Sequence, residues 1–307
     1  MKTFSALSTG TSRVCSSPRV WFIFWFFQLL ASAIVVAPLA AFLTGNPGRS
    51  LWSTELRQQL DAAWVVEALK YFHGAPVMSI MFSGVVALLL ALLGQVLLAG
   101  GAIALYTDAE ASYSVHEYYR NCGRYFWRFF RLLLIAFLFY ALLVAFNAGL
   151  GKLADKIWGE GMEARPLVRF GYFRDVLAAA LFLLINAVMD FAKVRIVAEN
   201  RRSVCGAAVW AWRFVFRNLR FVVTLFVTLT VIGILLLFGY RGIEALLPRT
   251  NMGVIVLLIF AQQLFLLARI GLRLTFWASE AALYRDLNPP YRPAEIAPLS
   301  VMPESAT

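Results

Sequence analysis

The chain reads as an all-α integral membrane protein: six transmembrane helices arranged as three helical hairpins, with amphipathic interfacial helices on the cytoplasmic side. Three observations carry that reading. Hydrophobic residues fill 61% of the 307 positions and charged residues only 15%, whereas soluble domains are roughly 45–50% apolar. The apolar residues gather into six blocks, each able to cross a hydrocarbon core that takes about 20 helical residues. One stretch, Ala109 to Arg131, recurs without a gap as Ala198 to Arg220.

The blocks lie near Val20 to Leu43, Val77 to Tyr106, Leu132 to Leu150, Val176 to Ala192, Phe221 to Tyr240 and Met252 to Trp277. Strict alternation of apolar and polar residues, the mark of a membrane β-barrel strand, is absent from them, so helices satisfy the backbone. Residues 1–19, rich in Ser and Thr with Lys2, Arg13 and Arg19, form an expected flexible cytoplasmic lead-in. Ala31-Ser32-Ala33 resembles a signal cleavage site, but the apolar run continues to Leu43, too long for a signal-peptide core, and an uncleaved anchor is expected. Residues 20–285 make the six-helix domain, and 286–307, with five prolines from Asn288 onward, a disordered cytoplasmic tail.

Charge sets the expected orientation. Of the 28 Lys and Arg residues, eighteen fall on the side that holds both termini and ten on the other. The richer side is expected in the cytoplasm. The net charge of +11 therefore points to anionic phospholipid headgroups rather than to nucleic acid. Cys15, Cys122 and Cys205 all fall on that side and lack metal-ligand spacing, so no disulfide and no metal site are expected.

Between the first two blocks, Ser50 to His73 carries Trp52, Leu56, Leu60 and Trp64 among mixed charges, the pattern of a helix at the outer surface. The second block contains Gly84, Gly94, Gln95 and Gly100-Gly101. Such small residues let membrane helices pack closely; the alternative is an unwound stretch along a transport path.

The repeat pairs Ala109 with Ala198, Glu110 with Glu199, Ser114 with Ser203, Val115 with Val204, Arg124 with Arg213, Arg128 with Arg217 and Arg131 with Arg220. At 100° per residue, Val115, Tyr118, Tyr119, Cys122, Phe126 and Phe129 share one side in the first copy, with Glu117, Arg120, Arg124, Arg128 and Arg131 opposite. In the second copy Val204, Ala207, Ala208, Ala211 and Val215 form the apolar side and Arg213, Arg217 and Arg220 the polar stripe. These arginine ladders suit lipid phosphate; plain orientation anchoring is the competing role.

The later blocks hold polar residues at membrane depth: Asn186 and Asp190 in the fourth, followed by Lys193 and Arg195, and Gln262, Gln263, Arg269 and Arg273 in the sixth. Charges there need partners. Asp190 is expected to pair with Arg269 or Arg273 across helices, with Lys193 as the alternative within its own helix. Asp190 alone offers no carboxylate dyad. Glu280 stands after the sixth block as Glu199 stands after the fourth. The motifs of common intramembrane and serine hydrolases are missing, and no enzyme activity and no cofactor are expected.

The glutamate after an even block, then Ser203, Ala207 and the arginines Arg213, Arg217 and Arg220, resembles the pattern of a broad group of bacterial six-span membrane proteins of unknown function. That group is similar to the membrane domain of some glycerophosphodiester phosphodiesterases. The resemblance implies a fold and a bacterial inner-membrane location; the charge bias is what puts both termini in the cytoplasm. It implies no activity, because the phosphodiesterase chemistry belongs to a separate soluble barrel with no counterpart in this chain. The expected function is a non-catalytic polytopic protein, accessory or scaffold-like, that engages anionic lipid through its ladders. The alternative is a transporter or lipid-handling protein with a polar path near Asp190.

Overall fold

The computed structural model describes residues 2–45, 75–108, 113–158, 164–247 and 252–288. Among them are eight α-helices: α1 (Lys2–Cys15), α2 (Pro18–Gly45), α3 (Ala75–Thr107), α4 (Val115–Trp158), α5 (Ala164–Ala198), α6 (Val204–Arg217), α7 (Leu219–Leu246) and α8 (Met252–Leu287). Six of these, all but α1 and α6, contain segments long and apolar enough to cross a membrane, and each apolar block of the sequence falls inside one. The proposed surface helix at 50–73 and the proline-rich tail lie outside the described residues.

Successive spanning helices pack side by side as α2 with α3, α4 with α5 and α7 with α8, and α3 also packs along α4. The last helix is the hub. It touches α1, α2, α3, α5 and α7, because its sequence from Ile270 to Tyr284 offers mostly small and apolar residues, nearly all of them buried. At the start of the same helix, Met252 is 76% exposed, and Phe260 67%. The same gradient runs along α3, exposed at Met78 and Phe82 and buried from Leu98 to Ile103. The protein core therefore occupies one end of the bundle, the end that also carries α1, α6 and most of the arginines. Apolar side chains on the other half face outward, which costs nothing where the neighbour is a lipid tail.

Two features depart from the sequence expectations. The first is the N-terminal stretch, expected as a flexible lead-in, which is instead the helix α1 docked on α8. Its spacing explains the docking: Thr3, Ala6, Gly10 and Val14 form one buried stripe at intervals of three and four. Gly10 sits so close to α8 that an added Cβ would run into Ser279 Oγ and lie 2.7 Å from the Ser279 backbone nitrogen. Arg13 then donates to the carbonyls of Leu105, Tyr106 and Asp108 at the end of α3, where helix carbonyls lack partners of their own.

The second is that the two repeat copies adopt different structures. The second copy forms α6, a separate amphipathic helix capped by Ser203, whose Oγ accepts from the Gly206 N–H at 3.3 Å. From Val115 on, the first copy is part of α4, a single helix of 44 residues, about 66 Å long at 1.5 Å per residue and so projecting well past a hydrocarbon core of about 30 Å; residues 109–112 lie outside the described residues. The break in the second copy falls at Asn218, whose side chain donates to the Phe214 carbonyl at 3.0 Å. An asparagine can thus compete for the helical ladder, whereas the matching position in the first copy is Phe129, buried and fully helical.

Candidate functional site

The polar residues of the spans do not form one cluster. Asp190 is 1% exposed on α5 and holds two cations: Lys193 Nζ lies 2.7 Å from Oδ1 and Arg273 Nη1 3.5 Å from Oδ2. The interhelical pair and the intrahelical pair expected as alternatives are both present. Arg269, one turn earlier on α8, is exposed; it falls where the covering helices have begun to part. Gln262 is exposed as well, while Gln263 accepts a hydrogen bond from Trp25 Nε1 at 3.0 Å and fastens α2 to α8. Asn186 accepts from the Tyr140 hydroxyl at 3.0 Å and donates to the Phe182 carbonyl at 2.8 Å, joining α4 to α5.

Asp190 has a companion the sequence did not reveal. Glu280 is 0% exposed within α8, and neither carboxyl oxygen has a hydrogen-bond partner. It feels the charge of Asp190, Arg273 and Lys193. The expectation that Asp190 stands without a second carboxylate is therefore corrected. Glu280 follows the sixth apolar block yet lies within α8, which runs unbroken to Leu287. The indole N–H of Trp277 lies beside Asp190 without completing a hydrogen bond, and the ring carries Arg273 over its face at 5.0 Å. Helical spacing was the only available signal: Arg273, Trp277 and Glu280 recur at intervals of four and three.

Glu199, the glutamate of the repeat, has a different surrounding. Its oxygens accept from Arg195 at 3.1 Å, Arg201 at 2.8 Å and the Tyr284 hydroxyl at 2.9 Å. Partial burial opposes its charge, but these donors outweigh that and hold the carboxyl below the usual glutamate range. The chain turns there through Asn200, whose φ of 50° is left-handed. Its N–H bonds the Val197 carbonyl and that of Arg201 bonds the Ile196 carbonyl, the Schellman closure that favours asparagine or glycine at this position. Arg128 crosses from α4 to this turn, donating to Asn200 Oδ1 at 2.8 Å and to the Arg201 carbonyl at 3.3 Å.

Arg128 is thus a structural tie between the two repeat copies. The other ladder residues, Arg124, Arg131, Arg213, Arg217 and Arg220, are exposed, and none is ion-paired among the described residues. Arg131 lies over Trp127 at 5.6 Å and Arg220 over Phe221 at 4.6 Å. Gly100 and Gly101 belong to continuous helix: a Cβ on Gly101 would meet Cys122 Sγ at 2.7 Å and the Tyr118 carbonyl at 2.8 Å. They pack α3 on α4. No group of His, Cys, Asp and Glu able to hold a metal occurs among the described residues.

These side chains can do two kinds of chemistry. The exposed guanidinium groups can bind oxyanions, and the buried carboxyl groups can hold or exchange a proton. The chain matches no family model, no curated protein and no solved structure.

Proposed function

We propose that this six-span membrane protein is non-catalytic and docks anionic phospholipid headgroups at its basic end through Arg124, Arg131, Arg213, Arg217 and Arg220. The observation that carries the reading is that these five are exposed and unpaired with carboxylates among the described residues, on a surface that also exposes Trp127 and Phe216 at 56% and 55%. Aromatic rings prefer the headgroup level, and each cation near an anionic surface contributes about 1 kcal/mol. In this reading the basic end faces the cytoplasm of a bacterial cell, with both termini on that side, and the protein acts as an accessory or scaffold.

The transport path past Asn186, Asp190, Gln262 and Arg269 has less support. Asp190 is enclosed between its cations and Gly100-Gly101 is packed helix, while Gln262 and Arg269 are exposed away from that pair.

The test is thermal unfolding of the purified protein in nanodiscs of phosphatidylcholine with or without phosphatidylglycerol. Phosphatidylglycerol is expected to raise the unfolding temperature in a salt-sensitive way. Changing Arg124, Arg131, Arg213, Arg217 and Arg220 together to Gln is expected to abolish the gain. An equal gain in that variant would refute the reading.

A further inference from the structure

Glu280 is the one described carboxylate that is fully buried with no partner for either oxygen. Every other charged group near it is already engaged. From α5, Asp190 and Lys193 bind each other, and from its own helix Arg273 is turned to Asp190. Of the arginines on the helices that pack there, Arg13 of α1 is engaged with the carbonyls at the end of α3 and Arg19 of α2 lies over Tyr113. The buried stripe of α1 is Thr3, Ala6, Gly10 and Val14, and the buried part of α3 facing α8 is apolar apart from the Tyr106 hydroxyl. Adjacent Ser279 is 0% exposed and its hydroxyl is also without a partner, pressed against Gly10 of α1.

A bare carboxylate in such a setting bears a large desolvation cost with no hydrogen bond to offset it. A metal cation would have to displace or repel Lys193 and Arg273, and the close contact of Gly10 with Ser279 leaves no room beside the helix. A proton needs no room and removes the charge. We propose that Glu280 is a proton-binding site of the bundle, with Asp190 as the paired carboxylate that keeps the two cations. The balance is simple: bound, the site holds one carboxylate and two cations; released, the proton leaves as hydronium and two carboxylates share Lys193 and Arg273. Helix α1 packs against the adjacent residue, Ser279. This inference is independent of the lipid-docking reading, since it concerns buried rather than exposed groups.

Infrared spectroscopy of the protein in nanodiscs tests it. Wild-type protein is expected to show the C=O stretch of a protonated carboxylic acid at neutral pH, shifted in heavy water. It should shift again when glutamate carboxyls carry carbon-13, and should be lost in E280Q. The amide of E280Q has nearly the shape of the protonated acid, so the variant is expected to fold and unfold thermally like wild type. A wild-type spectrum without an isotope-sensitive acid band, or the same band in folded E280Q, would each overturn the proposal. The labelled wild type decides even if the variant gives too little protein.

Discussion

Replacing Asp190 by Asn removes the carboxylate that is paired with Lys193 and Arg273 inside the bundle while keeping the side chain's size. Breaking a fully buried ion pair by deleting one partner costs about 3–5 kcal/mol, because the other charge is left uncompensated. Here the cations are not fully buried: the Lys193 side chain is 23% exposed and that of Arg273 43%, against 2% for Asp190. Both can turn partly to water, and the asparagine oxygen still accepts one hydrogen bond, so the loss should fall to about 2–3 kcal/mol, the scale of a hydrogen bond to a charged group. At roughly 2–4 °C per kcal/mol for domains of similar size, the unfolding temperature drops by roughly 5–10 °C. The assay is thermal unfolding in one fixed detergent, followed by loss of the monodisperse peak. Lys193→Met and Arg273→Met, each alone and combined with Asp190→Asn, complete double-mutant cycles. The coupling to Lys193, at 2.7 Å, should exceed that to Arg273, at 3.5 Å and more exposed. An unfolding temperature for Asp190→Asn within 1 °C of wild type, a difference of under about 0.5 kcal/mol, would refute the buried-pair argument.

Other expectations rest on separate contacts. Gly101→Val should force α3 from α4, since its Cβ would meet the rigid Tyr118 carbonyl at 2.8 Å; overpacking of this kind costs about 1–3 kcal/mol, and an unchanged unfolding temperature would count against the contact. Glu199 has its folded-state carboxyl held below the usual range despite partial burial, by Arg195, Arg201 and Tyr284. Its contribution is therefore present above the unfolded value of about 4.3 and is lost as pH falls through the folded one. Thermal unfolding followed from neutral to acid pH should show a shallower acid limb in Glu199→Gln, and identical limbs would contradict the assignment. With Cys15 and Cys205 exposed and Cys122 buried between α3 and α4, maleimide should modify two of the three thiols in the folded protein. Mass spectrometry reads the count directly, and early modification of Cys122 would mean that the α3–α4 contact opens.

The sequence by itself determined that the chain spans a membrane, where its six spans lie, and that Asp190 needs a cation. Partition into a bilayer acts on one segment at a time, so a run of apolar residues carries the answer within itself. The arginine stripe of α6 was equally legible, because exposure of one helix face follows from its own periodicity. What only the tertiary structure decided was which polar atoms lose water and which find partners. Arg269 and Arg273 share a helix face in the sequence, yet only Arg273 lies where α5 covers α8 and can meet Asp190. The two repeat copies match in seven positions but diverge because Asn218 gives the backbone another partner where Phe129 does not. Glu280 looks like a surface glutamate at the end of a span until α1, distant in sequence by some 270 positions, closes over the same end of α8. Burial of a polar group is a property of helices brought together from far along the chain, and no local pattern encodes it.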